Sequence, residues 1–79
     1  MSQQWIAQAL QEHENAIQRH QRYAAAHEAI MLVLRAVEQQ TITTPEALAQ
    51  LEEAAAAQEE LGLLGLYRQA IERLRTPHP

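Results

Sequence analysis

The chain has 79 residues, a net charge of −4 and no cysteine. This length predicts a single domain, residues 1–79, whose core is near the lower size limit for stability, and the lack of cysteine excludes disulfides and thiolate metal sites. The negative charge disfavours nucleic-acid binding, because proteins of that class usually present a basic surface. The longest apolar run, residues 29–34, is too short to span a membrane. We therefore expect a soluble cytoplasmic protein without membrane contacts.

The first predicted element is one long amphipathic helix over residues 3–40, with Ser2 as its N-cap. No Gly or Pro interrupts this stretch, and its apolar residues recur at the three- and four-residue spacings of a helix that packs one face on a core. Such a helix spans about 57 Å, whereas a compact chain of this length has a diameter of about 30 Å. The helix therefore either breaks or belongs to an elongated hairpin that shares its core with a partner. The lack of a helix breaker favours the hairpin.

The segment that follows predicts a turn and the start of a second helix. Pro45 suits the first helical position, and Thr43 and Glu46 have the spacing of a capping box, with Thr44 as the alternative cap. The connection is short, so the second helix is expected to run antiparallel to the first.

The second helix is predicted over residues 45–75 and is followed by a frayed tail at residues 76–79. Gly62 and Gly65 could lie inside a continuous helix, where they would allow close approach of another helix. The alternative is a break at residues 62–65, with a third helix beyond it. We favour the continuous helix.

Together these elements predict an all-α helical hairpin. A reversal of the chain near Ile42 would place Glu59 and Glu60 close to Arg22. It would also place Arg68 and Arg73 close to Glu12 and Glu14, so opposite charges would meet in both places. Two helices alone leave apolar flanks uncovered. We therefore expect a homodimer that forms an antiparallel four-helix bundle; the alternative is a monomeric three-helix bundle.

Three histidines, His13, His20 and His27, recur every seven residues on the predicted apolar face. On one straight helix, neighbouring rings are about 10.5 Å apart along the axis, so no two can bind one metal ion without ligands from another helix. We expect core-flanking histidines hydrogen-bonded to nearby polar groups, and no cofactor. One alternative is metal or haem ligation within a bundle. The other is pH sensing, because histidine titrates at about pH 6.5 when unperturbed.

Two further sets of side chains predict contact surfaces. An acidic ladder on the second helix forms either a solvated face or a docking strip for a basic partner; its members are Glu52, Glu53, Glu59 and Glu60. Apolar and aromatic residues beside the helix seam predict contacts with a larger protein, since partly exposed aromatic residues often dominate interfaces. These residues are Trp5, Tyr23, Leu63, Leu66 and Tyr67. Arg19 and Arg22 beside Tyr23 are the only indication of nucleic-acid binding.

No set of catalytic residues can be assembled from this sequence. It contains no Asp, Lys or Cys, and Ser2 is its only serine, so an activated nucleophile with its base and orienting group is not available. We therefore expect no enzymatic activity. The predicted function is that of a small protein–protein interaction module: an adaptor, regulator or inhibitor that binds a larger protein through helix faces. The alternatives are a histidine-ligated metal or haem bundle and a small nucleic-acid-binding bundle.

Overall fold

A computed structural model describes residues 4–76 as four α-helices and one 3₁₀ turn. In chain order these are α1 (Gln4–Arg19), the 3₁₀ turn (Gln21–Tyr23), α2 (Ala24–Glu38), α3 (Thr44–Ala56) and α4 (Leu61–Arg75). No strand occurs between residues 4 and 76, and the chain is all-α, as predicted. The predicted N-cap at Ser2 and the tail at residues 77–79 lie outside the described residues.

The prediction of one long helix over residues 3–40 is wrong, because the chain breaks at His20. The backbone of His20 is extended, with φ −141° and ψ 107°, and the 3₁₀ turn follows before α2 begins. Residues 20–22 are polar and exposed, so a straight helix there would bury no apolar surface. A turn instead lets α1 fold back on α2, and helices in proteins gain most of their stability from such packing. The described residues consequently measure 35 Å in their longest dimension.

The prediction of a continuous second helix over residues 45–75 is also wrong. α3 ends at Ala56, and α4 begins at Leu61 after a short polar connection. The alternative prediction of a break at the glycines is misplaced as well, since Gly62 and Gly65 both lie inside α4. The physical reason is again the burial of apolar surface. A straight helix through the mostly exposed connection would bury little, whereas the break lets α3 and α4 pack against each other.

Gln40, two residues after the end of α2, has a left-handed backbone conformation with φ 62°. The N–H of Gln40 donates to the carbonyl of Val37 at 3.0 Å, and the N–H of Thr41 donates to the carbonyl of Ala36 at 2.9 Å. This pair of bonds is a Schellman motif, which satisfies carbonyls at the end of a helix. The predicted end of the helical segment near residue 40 is confirmed to within two residues, because α2 ends at Glu38.

Thr43 caps α3 through the predicted capping box. Its hydroxyl accepts a hydrogen bond from the N–H of Glu46 at 3.2 Å, while the Glu46 carboxylate accepts one from the N–H of Thr43 at 2.8 Å. Hydrogen bonds from Thr43 to the Glu46 carboxylate, chiefly the one from the Thr43 N–H, lower the pKa of Glu46 below its ordinary value. The cap therefore determines where the chain enters α3.

Replacing the capping residue should measurably destabilise the protein. We expect Thr43→Ala to lower the free energy of unfolding by about 1 kcal/mol, because a helix N–H loses its acceptor. Thr44→Ala is the matched control, since Thr44 lies one residue inside the helix and is not the N-cap. Urea unfolding followed by circular dichroism measures both variants, and equal losses would contradict the assignment of the cap to Thr43.

The core lies between the four helices, and α2 packs against each of the other three. Its largest fully buried side chains are Ile6, Ile30 and Leu51, from α1, α2 and α3 respectively. α4 contributes Ala70, Ile71 and Leu74 together with Tyr67. A single chain thus supplies four helices to one shared core.

Two of the predicted charge contacts are confirmed: Arg22–Glu60 at 2.8 Å and Arg73–Glu12 at 2.7 Å. Glu59 and Arg68, which the same register included, form no ion pair among residues 4–76. Glu14, which the same register places near α4, instead lies 3.8 Å from Arg35 of α2. Each of these pairs is exposed enough to contribute at most about 1 kcal/mol, so they indicate register more than they stabilise the fold.

Candidate functional site

The structure brings His13 of α1 against His27 of α2. Their Nδ1 atoms are 2.7 Å apart, their ring centroids 4.9 Å apart, and the ring planes are inclined by 55°. The hydrogen bond needs one Nδ1–H donor and one Nδ1 lone pair, so at least one ring must be unprotonated at that atom. Residues fourteen positions apart meet here because the break at His20 folds α1 back on α2. The chain itself therefore supplies the second helix that such a contact requires.

The pair lies at the bottom of a groove between the α1–α2 hairpin and α4. His27 is buried, with 8% of its surface exposed, and His13 is half-buried. The groove has a volume of about 310 Å³, and Leu66 of α4 contributes to its apolar wall. At its edge the Arg73 guanidinium donates to the Glu12 carboxylate at 2.7 Å. The histidine bond is thus partly shielded from solvent and bordered by an ion pair.

Both histidines of the pair have pKa values below the ordinary value for histidine. Desolvation by burial lowers the pKa of His13 most, and the positive charges of protonated His27 and of Arg73 lower it further, while Glu12 opposes them. Burial also lowers the pKa of His27. Neutral imidazoles, one donating and one accepting, are therefore the favoured state near neutral pH.

The geometry of the pair is that of a hydrogen bond rather than of a metal chelate. A zinc ion lies about 2.0–2.1 Å from each ligand nitrogen, so two nitrogens 2.7 Å apart leave no room for an ion on the line between them. The centroids are much farther apart than the nitrogens, so the two Nδ1 atoms point at one another. Within residues 4–76, no group of three or more His, Cys, Asp or Glu side chains could hold a metal.

His20 does not join the other two histidines. It is exposed and follows the last residue of α1. The expectation of three histidines on one apolar face is wrong, because the helix that would carry them ends at Arg19 and the two remaining rings face each other across two helices.

The acidic ladder is not one strip on one helix. Glu52 and Glu53 lie on α3, whereas Glu59 and Glu60 lie in the connection beyond it. Because α3 ends before Glu59, the seven-residue spacing no longer places the four carboxylates on a common face. Glu52 is also paired with Arg75 at 3.3 Å.

The predicted basic and aromatic cluster contacts an acid from the same chain. Tyr23 donates its hydroxyl to Glu60 at 2.9 Å, and Arg22 donates to the same carboxylate oxygen at 2.8 Å. The Arg22 guanidinium also lies over the Tyr23 ring, 5.2 Å from its centroid. The bond to Glu60 raises the pKa of Tyr23 above its ordinary value. These contacts tie the α1–α2 connection to the α3–α4 connection.

The predicted interface residues occupy two kinds of environment. Trp5, Leu63 and Leu66 are half-buried and pack against the core. Tyr67 is buried, with 6% of its surface exposed, because the other helices of the same chain cover it.

The structure adds a surface that the sequence did not predict as a site. Leu32 exposes 66% of its surface and lines a shallow groove between α1 and α2 with Ile17 and Met31. Ile17 is half-buried and Met31 is buried, with 2% of its surface exposed, so Leu32 is the exposed apolar residue of the three. Glu14, Glu28 and Arg35 provide charged groups around this patch. The available sequence signal was the position of Leu32 off the main apolar stripe. We call the patch of Ile17, Met31 and Leu32 the outer α1–α2 face.

No helix in the described part of the chain combines the length and the apolar character needed to cross a membrane. Comparisons with protein-family models, with curated proteins and with solved structures found no match to this chain.

Proposed function

We propose that the chain is a small non-enzymatic protein–protein interaction module that forms a homodimer through its outer α1–α2 face. The observation that carries this proposal is Leu32, which exposes 66% of its surface in a groove that the half-buried Ile17 and the buried Met31 also line. A single exposed leucine is ordinary on a protein surface. An apolar patch with charged groups around it has the anatomy of a protein contact.

A second copy of the chain is the occupant that the charges of α2 favour. The exposed positions of α2 follow one stripe: Ala25, Glu28, Leu32 and Arg35. If two α2 helices pair antiparallel about a two-fold axis near Leu32, Glu28 of one protomer lies opposite Arg35 of the partner subunit, and the reverse pair forms as well. The stripe is therefore complementary to itself, as a two-fold interface requires.

Both charged groups of that stripe remain accessible in the isolated chain. Glu28 is exposed and has no ion-pair partner among residues 4–76, while Arg35 lies 3.8 Å from Glu14 with 46% of its side chain exposed. Pairing through this face would bring the α1–α2 hairpins of two protomers together as an antiparallel four-helix bundle. The bundle predicted from the sequence would then form between hairpins that are shorter than expected.

Light scattering after size exclusion tests the homodimer directly. We expect a mass of about 18 kDa, twice the 9.0 kDa of one chain, and a monomer for Leu32→Glu, because a carboxylate would be buried at the centre of the interface. Leu61→Glu is the matched control, since Leu61 is 81% exposed and lies outside this face. A wild-type mass of about 9 kDa, that of one chain, at every concentration would contradict the proposal. The proposal would also fail if Leu61→Glu dissociated the dimer as fully as Leu32→Glu.

Charge reversal tests the two-fold arrangement. Glu28→Arg and Arg35→Glu should each raise the dissociation constant about tenfold, because two symmetry-related pairs of roughly 0.5–1 kcal/mol each are lost and like charges meet. Combining both substitutions in one chain should restore most of the affinity. If the loss of binding free energy in the double variant equals the sum of the losses in the two single variants, the proposed pairing of Glu28 with Arg35 is ruled out.

A further inference from the structure

The hydrogen bond between His13 and His27 links two helices and depends on proton occupancy. The bond forms when both rings are neutral, and it also forms when one ring is a cation that donates to the other. When both rings are protonated, two N–H donors face each other at Nδ1 positions 2.7 Å apart and two positive charges repel. The second proton therefore converts an attraction between α1 and α2 into a repulsion.

The charged neighbours strengthen this conversion. α1 contributes Glu12 and α4 contributes Arg73; apart from the histidines, no other charged side chain within residues 4–76 lines the groove. Because Arg73 is hydrogen-bonded to the Glu12 carboxylate at 2.7 Å, this carboxylate is already matched and cannot fully compensate a doubly charged histidine pair. α2 contributes no charged group to the groove besides His27.

α1 is the element that such a repulsion can release. It packs mainly on α2 and is joined to it through the short connection that begins at His20. It contributes two buried residues, Ile6 and Ala9, which is fewer than any of the other three helices, whereas α2, α3 and α4 also contact one another. Local opening of one element requires less free energy than global unfolding.

We propose that the His13–His27 bond is a proton-operated latch, which holds α1 on α2 at neutral pH and releases it when both imidazoles are protonated. The inference goes beyond the proposed homodimer, and the latch does not depend on it. One consequence does rest on the homodimer: because Ile17 of α1 lines the groove beside Leu32, release of α1 would also dismantle part of the dimer face.

The direction of the pH dependence follows from proton binding. The pKa of each histidine in the closed pair lies below the ordinary value of 6.5, so the open state binds more protons than the closed state. The latch is therefore fully stabilising above about pH 6.5 and loses stability as the pH falls through the lowered pKa values.

Trp5 provides an intrinsic reporter of this release. It is the only tryptophan in the chain, lies on α1 and packs against the core. We expect its fluorescence emission to shift reversibly to longer wavelength between about pH 8 and about pH 5. Most of the helical circular dichroism should remain, because α2, α3 and α4 stay packed. An unchanged emission, or a complete loss of helical signal in the same step, would overturn the latch.

A matched pair of variants assigns the transition to the histidine bond. His13→Asn substitutes a neutral amide that can accept a hydrogen bond from protonated His27 or donate one to neutral His27, so the emission shift should disappear. His20→Asn makes the same change at the exposed histidine outside the pair and should leave the shift intact. Retention of the shift in His13→Asn, or its loss in His20→Asn, would contradict the inference.

Two further measurements distinguish the release of α1 from misfolding of a variant and from dissociation of the homodimer. Nuclear magnetic resonance titration of the wild-type histidine rings should show His13 and His27 titrating as a coupled pair below about pH 6.5; independent titration at the ordinary value would overturn the latch even if His13→Asn failed to fold. The fluorescence shift should persist in Leu32→Glu at a concentration where that variant is monomeric. Failure of the homodimer and failure of the latch are thereby distinguished.

Discussion

Replacing Ile30 with alanine should remove about 2–5 kcal/mol from the free energy of unfolding, the range observed for large-to-small changes in tightly packed cores. Ile30 has 0% of its surface exposed and lies on α2, the helix that contacts all the others. A chain of this length is expected to have a total stability of only about 4–12 kcal/mol. The variant should therefore lie near the limit of cooperative folding.

A graded series makes this prediction measurable even if the alanine variant does not fold. Ile30→Val removes one methyl group and should cost about 0.5–1.5 kcal/mol. Leu61→Ala is the control for loss of a large aliphatic side chain, since Leu61 is 81% exposed, and it should alter stability by no more than about 0.5 kcal/mol. Urea unfolding followed by circular dichroism gives all three values. A cost for Leu61→Ala as large as that for Ile30→Val would contradict the described core.

The two glycines of α4 should respond in opposite directions to alanine. At Gly65 a Cβ atom would meet no atom within 4 Å, so Gly65→Ala should stabilise the protein by about 0.5–1 kcal/mol through the higher helix propensity of alanine. At Gly62 the added Cβ would overlap the hydroxyl oxygen of Tyr23 and lie 3.0 Å from its Cζ. Gly62→Ala should therefore destabilise the protein.

The cost at Gly62 depends on how firmly Tyr23 is held. The Tyr23 hydroxyl donates to Glu60 at 2.9 Å, so the ring can move aside only by breaking this bond. We expect a net loss of about 1 kcal/mol for Gly62→Ala, after the gain in helix propensity is subtracted from the cost of displacement. In a Tyr23→Ala background the overlap is removed, and Gly62→Ala should become stabilising like Gly65→Ala. Thermal unfolding of the single and double variants measures this coupling. If both alanine substitutions changed stability in the same direction in the wild-type background, the contact between Gly62 and Tyr23 would be contradicted.

Several features were predictable from local sequence because their causes are local. The helical class follows from the spacing of apolar residues and from a composition rich in helix formers. The capping box of Thr43 and Glu46 involves residues three positions apart, so its spacing could be recognised directly. The reversal near Ile42 predicted the approximate register of opposite charges, because these recur at similar distances from it. It did not distinguish Glu60 from Glu59 or Arg73 from Arg68 as the residue that pairs.

The helix breaks and the histidine pair could not be predicted in the same way. Residues 20–23 and the connection before Leu61 contain no glycine or proline. Helix propensity alone would therefore continue both predicted long helices through these segments. The chain breaks there because folding back buries apolar surface between residues far apart in sequence, and that gain is decided by the packing of the whole chain.

The sequence by itself therefore determined the helical class, the cap that starts α3 and the register of opposite charges, since each depends on spacing along the chain. Only the tertiary structure decided that four helices form, that His13 meets His27 and that Leu32 remains outside the core. The reason is that both breaks, at His20 and in the connection before Leu61, depend on packing between residues far apart in the sequence.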